Sequence, residues 1–325
     1  MTIDAALLEI LASLSPVDPV APLAAGIDEV RRTRAAVDAA GDELAARVTE
    51  PGPEVADVRD VWITSEVRAR VYRPAGSGPF GAHVYLHGGS FSQGSPDSVY
   101  VEATCRERSA GAGVVVVSVD YRMAPEHQFP AAVEDSYAAL CWVRDQATGI
   151  DVDPDNLSVG GGSAGANLAA AAALVARDRG GPHLRLVLLE VPALDLTGGH
   201  VDRSLGPEFG DPDGLADIFT AYLGDLGRAR DPLASPLLAD DLTGLPACHV
   251  MTAELDPLRG DGEAFLTRLA AAGVPATGGR RAAHLHVSPS FTAVFPPARQ
   301  WRDELLAVLR DRHGPASRTA STEET

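Results

Sequence analysis

A serine flanked by glycines is the first feature of this sequence that could carry out chemistry. Residues 160–169 read Gly-Gly-Gly-Ser-Ala-Gly-Ala-Asn-Leu-Ala, which places Ser163 at the centre of a G-x-S-x-G motif. In a nucleophile elbow, a sharp strand-to-helix turn exposes the serine hydroxyl, and the small residues Gly161 and Gly165 leave room for that turn. The motif alone is equally compatible with a structural turn, so a nucleophile requires a base, an acid and an oxyanion site elsewhere in the chain.

Two consecutive glycines, Gly88 and Gly89, follow an apolar run that ends at Leu86. Because no side chains intervene, their N–H groups can point into a cavity and stabilise negative charge on a carbonyl oxygen. With the N–H of Ala164, the residue after the serine, they form a predicted oxyanion hole. His87 is interpreted as a brace for this loop, and general-base catalysis by His87 is the less favoured alternative.

These groups need strands and helices that bring them to one edge of a sheet. Short apolar runs, typical of buried parallel strands, alternate with helical segments, and this pattern favours an α/β fold with a doubly wound sheet. The predicted strands are 58–63, 67–72, 83–86, 114–119, 157–159, 184–191, 248–252 and 276–283. The predicted helices are 4–14, 27–47, 98–110, 130–147, 165–178, 214–223, 260–273 and 296–312.

The segments outside this alternation suggest a domain organisation. Residues 1–50 are predicted to be an N-terminal helical cap segment, residues 51–314 the catalytic domain, and residues 315–325 a disordered tail. An insertion at about 195–230 interrupts the alternation. We expect it over the carboxyl ends of the strands, where ligands bind in open α/β sheets, so that it forms a cap with the N-terminal segment.

Composition excludes several classes of function. The 325 residues include 27 basic and 45 acidic side chains, and the net charge of −18 argues against binding to nucleic acid or to anionic membranes. Every one of those basic residues is arginine, so lysine Schiff-base chemistry and a serine–lysine dyad are excluded. The three cysteines, Cys105, Cys141 and Cys248, are too widely spaced to suggest a disulfide framework or a zinc site.

The sequence also carries an expectation about location. Its first residues, Met-Thr-Ile-Asp, lack the basic region of a signal peptide, and the longest uncharged apolar stretch, residues 168–176, is too short to cross a bilayer. We therefore expect a cytoplasmic protein.

Residues 120–127 read Asp-Tyr-Arg-Met-Ala-Pro-Glu-His, directly after a predicted buried strand. Together with the His-Gly-Gly loop and the serine motif, this segment resembles the hormone-sensitive-lipase-like branch (bacterial family IV) of the α/β-hydrolases, which are mostly carboxylesterases. The resemblance extends over about residues 58–309. It implies an α/β-hydrolase fold, with a mostly parallel eight-stranded sheet flanked by helices and a helical cap. It also implies that Asp120, Arg122 and Glu126 form a supporting network behind the active site.

The resemblance assigns the triad acid to Asp256, which begins an Asp-Pro-Leu-Arg segment after the strand at 248–252. The carboxylate would accept the histidine N–H and stabilise the imidazolium. Two alternatives are a helix N-cap role for Asp256 and the use of Glu254 as the acid.

Two histidines, His284 and His286, are candidates for the base. An extended backbone would place both on the same side of a strand, so either could face Ser163. The resemblance favours His286, because its separation of 30 residues from Asp256 and its alignment with the late H-G-F motif match the family. A metal site built on this His-x-His pair is disfavoured, since no third ligand is near in sequence.

The chain departs from the family pattern at three places. Gly162 replaces the aspartate before the serine, and Ser90 replaces the third glycine of the oxyanion loop. We expect the Ser90 hydroxyl to line the pocket and its backbone to avoid the conformations that favour glycine. Val287 and Ser288 replace glycine and phenylalanine after the base.

These features predict a serine carboxylesterase, a carboxylic ester hydrolase that forms an acyl-enzyme on Ser163 without a metal or a cofactor. The resemblance implies short- to medium-chain acyl esters as substrates and a homodimer. The alternatives are a deacetylase, lactonase or elimination enzyme of secondary metabolism on the same fold, and a non-catalytic small-molecule binder. The residues expected to line the substrate pocket are Ser90, Phe91, Phe209, Phe219, Tyr222 and His284.

Overall fold

The computed structural model describes residues 20–205, 209 and 214–314. Its strands are β1 (Asp57–Trp62), β2 (Arg68–Arg73), β3 (Phe80–Leu86), β4 (Val115–Asp120), β5 (Val152–Gly162), β6 (Leu184–Glu190), β7 (Ala247–Leu255) and β8 (Ala276–Leu285). Its α-helices are α1 (Ile27–Val48), α2 (Val99–Ala112), α3 (Ala131–Asp145), α4 (Ala164–Asp178), α5 (Leu215–Leu223), α6 (Arg259–Ala271) and α7 (Pro296–His313).

The eight strands of the described residues form one sheet in the order β1-β2-β4-β3-β5-β6-β7-β8. β2 pairs antiparallel with both β1 and β4, and all other neighbours pair in parallel. The predicted mostly parallel, eight-stranded sheet flanked by helices is therefore confirmed. The carboxyl ends of the parallel strands meet at one edge, which is where β3, β5 and β7 deliver the candidate residues.

Burial on both faces explains why the central strands read as continuous apolar runs. In β4, Val115 and Val117 join the core cluster that includes helices α3 and α4. Val116, between them, joins a cluster on the other face with Val101 and Cys105 of α2. Because side chains alternate across a strand, a sheet that is covered on both faces favours apolar residues at consecutive positions.

Helix α4 is the most completely buried helix segment around the candidate serine. Its residues from 164 to 176 are all buried, and most of them are alanine. Alanine has high helix propensity, and its small side chain lets the helix axis lie close to the sheet. This tight packing fixes the start of α4, and with it the residue that immediately precedes the helix, Ser163.

Two predicted segments lie outside the described residues: the helix at 4–14 and the tail at 315–325. The predicted helix at 27–47 is α1, and the predicted helix at 214–223 is α5, which begins one residue later. In the part of the chain that the structure describes, no helix combines the length and the apolarity needed to cross a membrane.

Candidate active site

Ser163 lies in a strained turn between β5 and α4. Its backbone has φ 54° and ψ −118°, in the left-handed region that non-glycine residues rarely adopt. The turn is held by the Ser163 N–H, which donates to the carbonyl of Glu190 over 2.9 Å. A Cβ atom would lie 2.2 Å from the Leu86 oxygen if added to Gly161, and 1.9 Å from the same oxygen if added to Gly165. Both motif positions therefore require glycine, because any side chain there would collide with the backbone of β3.

A continuous hydrogen-bonded chain joins Ser163, His286 and Asp256. The Ser163 Oγ lies 2.9 Å from His286 Nε2, and His286 Nδ1 lies 2.7 Å from Asp256 Oδ2. Since a carboxylate only accepts, the neutral ring carries its proton on Nδ1 and leaves Nε2 free to take the serine proton. Burial disfavours the charged ring, but the Asp256 charge and hydrogen bond outweigh it and raise the pKa of His286.

The two alternatives for the acid have structural explanations. The second oxygen of Asp256 accepts the Leu258 N–H over 2.8 Å, just before α6 begins, so this carboxylate also organises the turn into the helix. Glu254 instead accepts the Ala283 N–H over 2.8 Å, which ties β7 to β8. Glu254 therefore takes no part in the chain of hydrogen bonds to the serine.

The expectation that His284 and His286 share one side of a strand is wrong. Ala283 has φ 62°, and between the β7–β8 pairs Ala253–Arg281 and Leu255–Leu285 the register shifts, with more residues on β8 than on β7. The strand then ends at Leu285, and His286 lies in the turn that follows, so the alternation on which the expectation depended does not extend to His286. His286 lies beyond the end of β8, where it reaches the serine.

His284 is buried in the core instead. Its Nδ1 lies 2.9 Å from Ser288 Oγ, and its ring packs against Trp301 and Phe295 at centroid distances of 4.9 and 5.1 Å. Burial lowers the pKa of His284 to about 4, so the ring is neutral. His284 does not line the substrate cavity, contrary to the prediction.

The Gly88 part of the predicted oxyanion loop lies beside the serine. A Cβ atom added to Gly88 would lie 3.6 Å from Ser163 Cβ, so this part of the loop is directly beside the serine. The hydrogen bonds found among the described residues leave the N–H groups of Gly88, Gly89 and Ala164 without an acceptor. Free backbone donors next to a serine hydroxyl can stabilise a negatively charged oxygen.

His87 is fully buried and braces the loop, as the sequence suggested. Its ring stacks on Tyr121 with centroids 4.3 Å apart, and its Nδ1 lies 2.9 Å from the Gly88 oxygen. Burial lowers the pKa of His87 to about 4, so the neutral ring donates this hydrogen bond. No contact places His87 within reach of Ser163.

Comparison with known proteins finds α/β-hydrolases and ester hydrolases as relatives of this chain. The family profile described as alpha/beta hydrolase fold matches residues 83–289. The chain is 42% identical over 238 residues to the carboxylic ester hydrolase LipN of Mycobacterium tuberculosis, which covers 69% of this chain and 62% of that protein. It is 37% identical over 279 residues to an arylesterase of Saccharolobus solfataricus, which covers 83% of this chain and 88% of that protein.

Among solved structures, the hyperthermophilic esterase from the archaeon Pyrobaculum calidifontis matches with a TM-score of 0.86 and 36% identity. The match covers 96% of this chain and 99% of that one. The chain belongs to the hormone-sensitive-lipase-like family of α/β-hydrolases. It is a carboxylic ester hydrolase, and its sheet is the mostly parallel sheet of that fold.

The Asp-Tyr-Arg-x-Ala-Pro-Glu segment of this α/β-hydrolase supports the loops around the site. Asp120 pairs with Arg68 of β2 over 3.2 Å. The guanidinium of Arg122 donates hydrogen bonds to both oxygens of the buried Asp135 carboxylate. The Tyr121 hydroxyl donates to the His87 carbonyl over 2.8 Å. These contacts agree with a structural role for the segment.

A cavity of about 1080 Å³ opens over Ser163 and His286. Four of the predicted pocket residues line it: Ser90, Phe91, Phe209 and Phe219. Tyr222 does not, because it lies behind Phe91, with the two rings stacked at 3.8 Å. Other residues that line the cavity were not predicted: Val20, Pro22 and Val37 near α1, Leu215 and Ile218 on α5, and Leu258 near the triad. The apolar periodicity of the predicted helices is the sequence signal that could have indicated Val37 and Ile218.

The departures from the family pattern have local consequences. The Cα of Gly162 faces open space, so the missing aspartate side chain leaves no cavity in the core. Ser90 has φ 54°, so the expectation that it avoids a left-handed backbone is wrong, although its side chain does line the cavity. Val287 is 49% exposed and adds an apolar surface beside His286. Ser288 is buried, and its hydroxyl accepts the Leu285 N–H.

Proposed function

We propose that this hydrolase cleaves short- to medium-chain acyl esters through an acyl-enzyme on Ser163. The observation that carries the proposal is the chain of two hydrogen bonds, 2.9 and 2.7 Å long, from Ser163 through His286 to the buried carboxylate of Asp256. In this proposal Ser163 is the nucleophile, His286 the general base and Asp256 the group that orients the imidazole.

Acylation begins when Ser163 Oγ attacks the ester carbonyl carbon and His286 Nε2 takes the hydroxyl proton. The carbonyl oxygen becomes an oxyanion that accepts hydrogen bonds from the N–H groups of Gly88, Gly89 and Ala164. Collapse of the tetrahedral intermediate breaks the bond to the alkoxy oxygen, which receives the proton from His286 and leaves as the alcohol. The buried Asp256 charge stabilises the imidazolium between these two proton transfers.

Deacylation repeats the same steps with water in place of the serine. His286 takes a proton from the water, the hydroxide attacks the acyl carbon, and the oxyanion again lies against the backbone donors. When the intermediate collapses, Ser163 Oγ leaves with the proton from His286, and the carboxylic acid is released. The established ester hydrolase chemistry needs no group beyond those described here.

The apolar lining of the cavity supports the proposed substrate class. Its walls include Phe91, Phe209 and Phe219, and no arginine is among its described lining residues. We propose that the N-terminal segment up to residue 50 and the insertion at 195–230 form a cap over residues 51–314. Val37 of the first segment and Ile218 of the second contribute apolar surface to the cavity, which favours uncharged acyl chains.

The central test removes each triad group in turn. Ser163→Ala should abolish hydrolysis of p-nitrophenyl butyrate, and His286→Ala should be comparably damaging. His284→Ala is the matched control: it should lower thermal stability, because His284 packs in the core, while kcat per folded molecule stays close to wild type. Wild-type turnover by Ser163→Ala would exclude the proposed nucleophile.

A second test separates ester hydrolysis from elimination chemistry on the same fold. Rapid acid quenching of the wild-type enzyme with excess ester should leave the acyl group on the peptide that contains Ser163, detected by mass spectrometry. His286→Ala should accumulate much less of it. Turnover without an acyl-serine would favour an elimination mechanism instead.

We also propose a cytoplasmic homodimer that forms through an edge strand of the sheet. β1 and β8 are the two edges, and each has one side unpaired among the described residues. Unpaired N–H and C=O groups can add a strand from a second copy. Light scattering coupled to size-exclusion chromatography should give twice the mass of 33.8 kDa, and a monomer at micromolar concentration would exclude the dimer.

A further inference from the structure

The Gly88 carbonyl, on the back of the oxyanion loop, accepts two side-chain hydrogen bonds. His87 Nδ1 donates to it over 2.9 Å, and the hydroxyl of Tyr100, in the first turn of α2, donates over 3.1 Å. A trans peptide is planar, so the carbonyl of residue 88 and the N–H of Gly89 point in opposite directions. Fixing the oxygen on the back of the loop therefore aims the Gly89 N–H toward the front.

The front of the loop is the side of the serine. A Cβ atom added to Gly88 would lie 3.1 Å from the Gly162 oxygen and 3.6 Å from Ser163 Cβ, so the loop and the elbow are in contact. Gly89 has φ 130°, and a Cβ there would lie 2.0 Å from the Gln93 oxygen. Because glycine at this position has wide conformational freedom, the orientation of its N–H depends on the groups that hold the neighbouring peptide.

We propose that Tyr100 is a positioning residue for the oxyanion hole, whose hydroxyl holds the Gly88 carbonyl and thereby aims the Gly89 N–H at the substrate oxygen. The inference rests on the proposed function of that loop. Burial raises the pKa of the Tyr100 hydroxyl above its ordinary value. Tyr100 therefore remains a protonated donor throughout the pH range of an esterase assay.

Helix α1 closes the space behind this carbonyl. A small cavity of about 80 Å³ lies between α1 and the loop, bordered by Tyr100, Gly88 and Gly89 on one side and Asp38 and Asp42 on the other. A cavity of this size is large enough for water, so the loop is not held by close packing alone. Directional hydrogen bonds must therefore fix its conformation.

Three side chains on one face of α1 supply further bonds of this kind, at positions four residues apart. Asp38 accepts the Gly94 N–H over 2.8 Å, and Asp42 accepts the Val99 N–H over 2.8 Å, next to Tyr100. Arg34 donates to the carbonyl of Ser92 over 2.6 Å, and it also pairs with Glu126. The helix therefore holds both ends of the segment from which the Tyr100 side chain reaches back to Gly88.

The test is Tyr100→Phe, which removes one hydroxyl and keeps the ring. Loss of a direct oxyanion donor lowers kcat by about 100- to 1000-fold, and loss of a hydrogen bond that only orients the donor should cost less. We expect kcat for p-nitrophenyl acetate to fall about tenfold, with KM changed by less than twofold. The rate should be expressed per active site titrated with a fluorophosphonate, so that unfolded protein does not contribute.

A transition-state analogue distinguishes positioning from a general structural role. An aliphatic trifluoromethyl ketone forms a hemiketal whose oxyanion occupies the same hole. Its inhibition constant should therefore rise by the same factor by which kcat falls. The matched control is Tyr72→Phe, which also removes a buried hydroxyl. That hydroxyl donates over 2.6 Å to Glu102 of α2, the helix that carries Tyr100, and it does not contact the loop. Its kcat and inhibition constant should remain within twofold of wild type.

The inference is overturned if kcat per titrated site in Tyr100→Phe falls less than threefold, or if Tyr72→Phe loses as much. It is also overturned if kcat falls while the ketone still binds as tightly as to wild type. If Ser163→Ala is inactive, any of these results would reject only the role of Tyr100 and leave the proposed function intact. An active Ser163→Ala variant would instead reject the proposed function.

Discussion

Asp261, at the start of α6, should make the folded protein less stable as the pH rises. Its side chain is fully buried, and one oxygen accepts the N–H groups of Leu194 and Asp195 over 2.7 and 2.9 Å. The other oxygen has no hydrogen-bond partner among the described residues. Burial, partly opposed by the two N–H donors, raises the pKa of Asp261 from 3.8 to about 7.

The size and sign of the effect follow from this shift. The folded protein binds the Asp261 proton more tightly than the unfolded chain, so its stabilising contribution is complete below about pH 4 and is lost as the pH rises through 7. At 1.36 kcal/mol per pKa unit, a shift of about three units corresponds to about 4 kcal/mol in the free energy of unfolding. About 2.5 kcal/mol of this loss should occur between pH 5 and pH 8.

Asp261→Asn tests this reasoning, because asparagine is uncharged at every pH and retains an oxygen for the two N–H donors. Urea unfolding of wild type and variant at pH 5 and pH 8 should show the variant gaining about 2.5 kcal/mol relative to wild type at the higher pH. Asp240→Asn, at an exposed position, should keep the wild-type pH dependence. If the difference between Asp261→Asn and wild type is the same at both pH values, Asp261 is ionised in the folded protein and the reasoning fails.

Two further substitutions test charges near the serine. Glu190→Gln leaves the buried guanidinium of Arg108 without its charged partner and should lower the free energy of unfolding by about 3–5 kcal/mol; a loss below about 1 kcal/mol in urea would contradict this. Asp256→Asn should reduce kcat by about 10⁴-fold. It should also move the acidic limb of the residual kcat/KM profile to lower pH, because the Asp256 charge raises the pKa of His286; an unmoved limb would show that another group sets it.

The sequence was sufficient to predict the order of strands and helices in the described region. Runs such as Val114 to Val119 are rich in valine and too short for a typical helix, which favours a strand covered on both faces. The serine turn was equally predictable, since its two glycines are required by contact with the backbone of β3. Requirements of this kind leave a direct trace in residue type, because only a particular side chain, or none, fits the position.

The strand pattern by itself left the choice between His284 and His286 open, and only the family resemblance favoured His286. Both histidines belong to one short segment, and simple alternation placed them on the same side. β8 bulges at Ala283 and ends at Leu285, so His284 lies in the strand and His286 in the turn after it. Where the strand ends depends on how β8 pairs with β7, a contact between residues about 30 positions apart. A strand register is set by the whole sheet and not by the residue types at the bulge.

The sequence by itself determined that the chain has a glycine-flanked serine, two candidate histidines and an α/β fold able to bring a histidine to the serine. Only the tertiary structure decided which histidine reaches Ser163, that Tyr222 supports the pocket from behind, and that Tyr100 holds the Gly88 carbonyl. The physical reason is that hydrogen bonds and ring stacking depend on distances of a few ångströms between segments far apart in sequence. Such distances are fixed by the packing of the sheet and the helices, including α1, against one another.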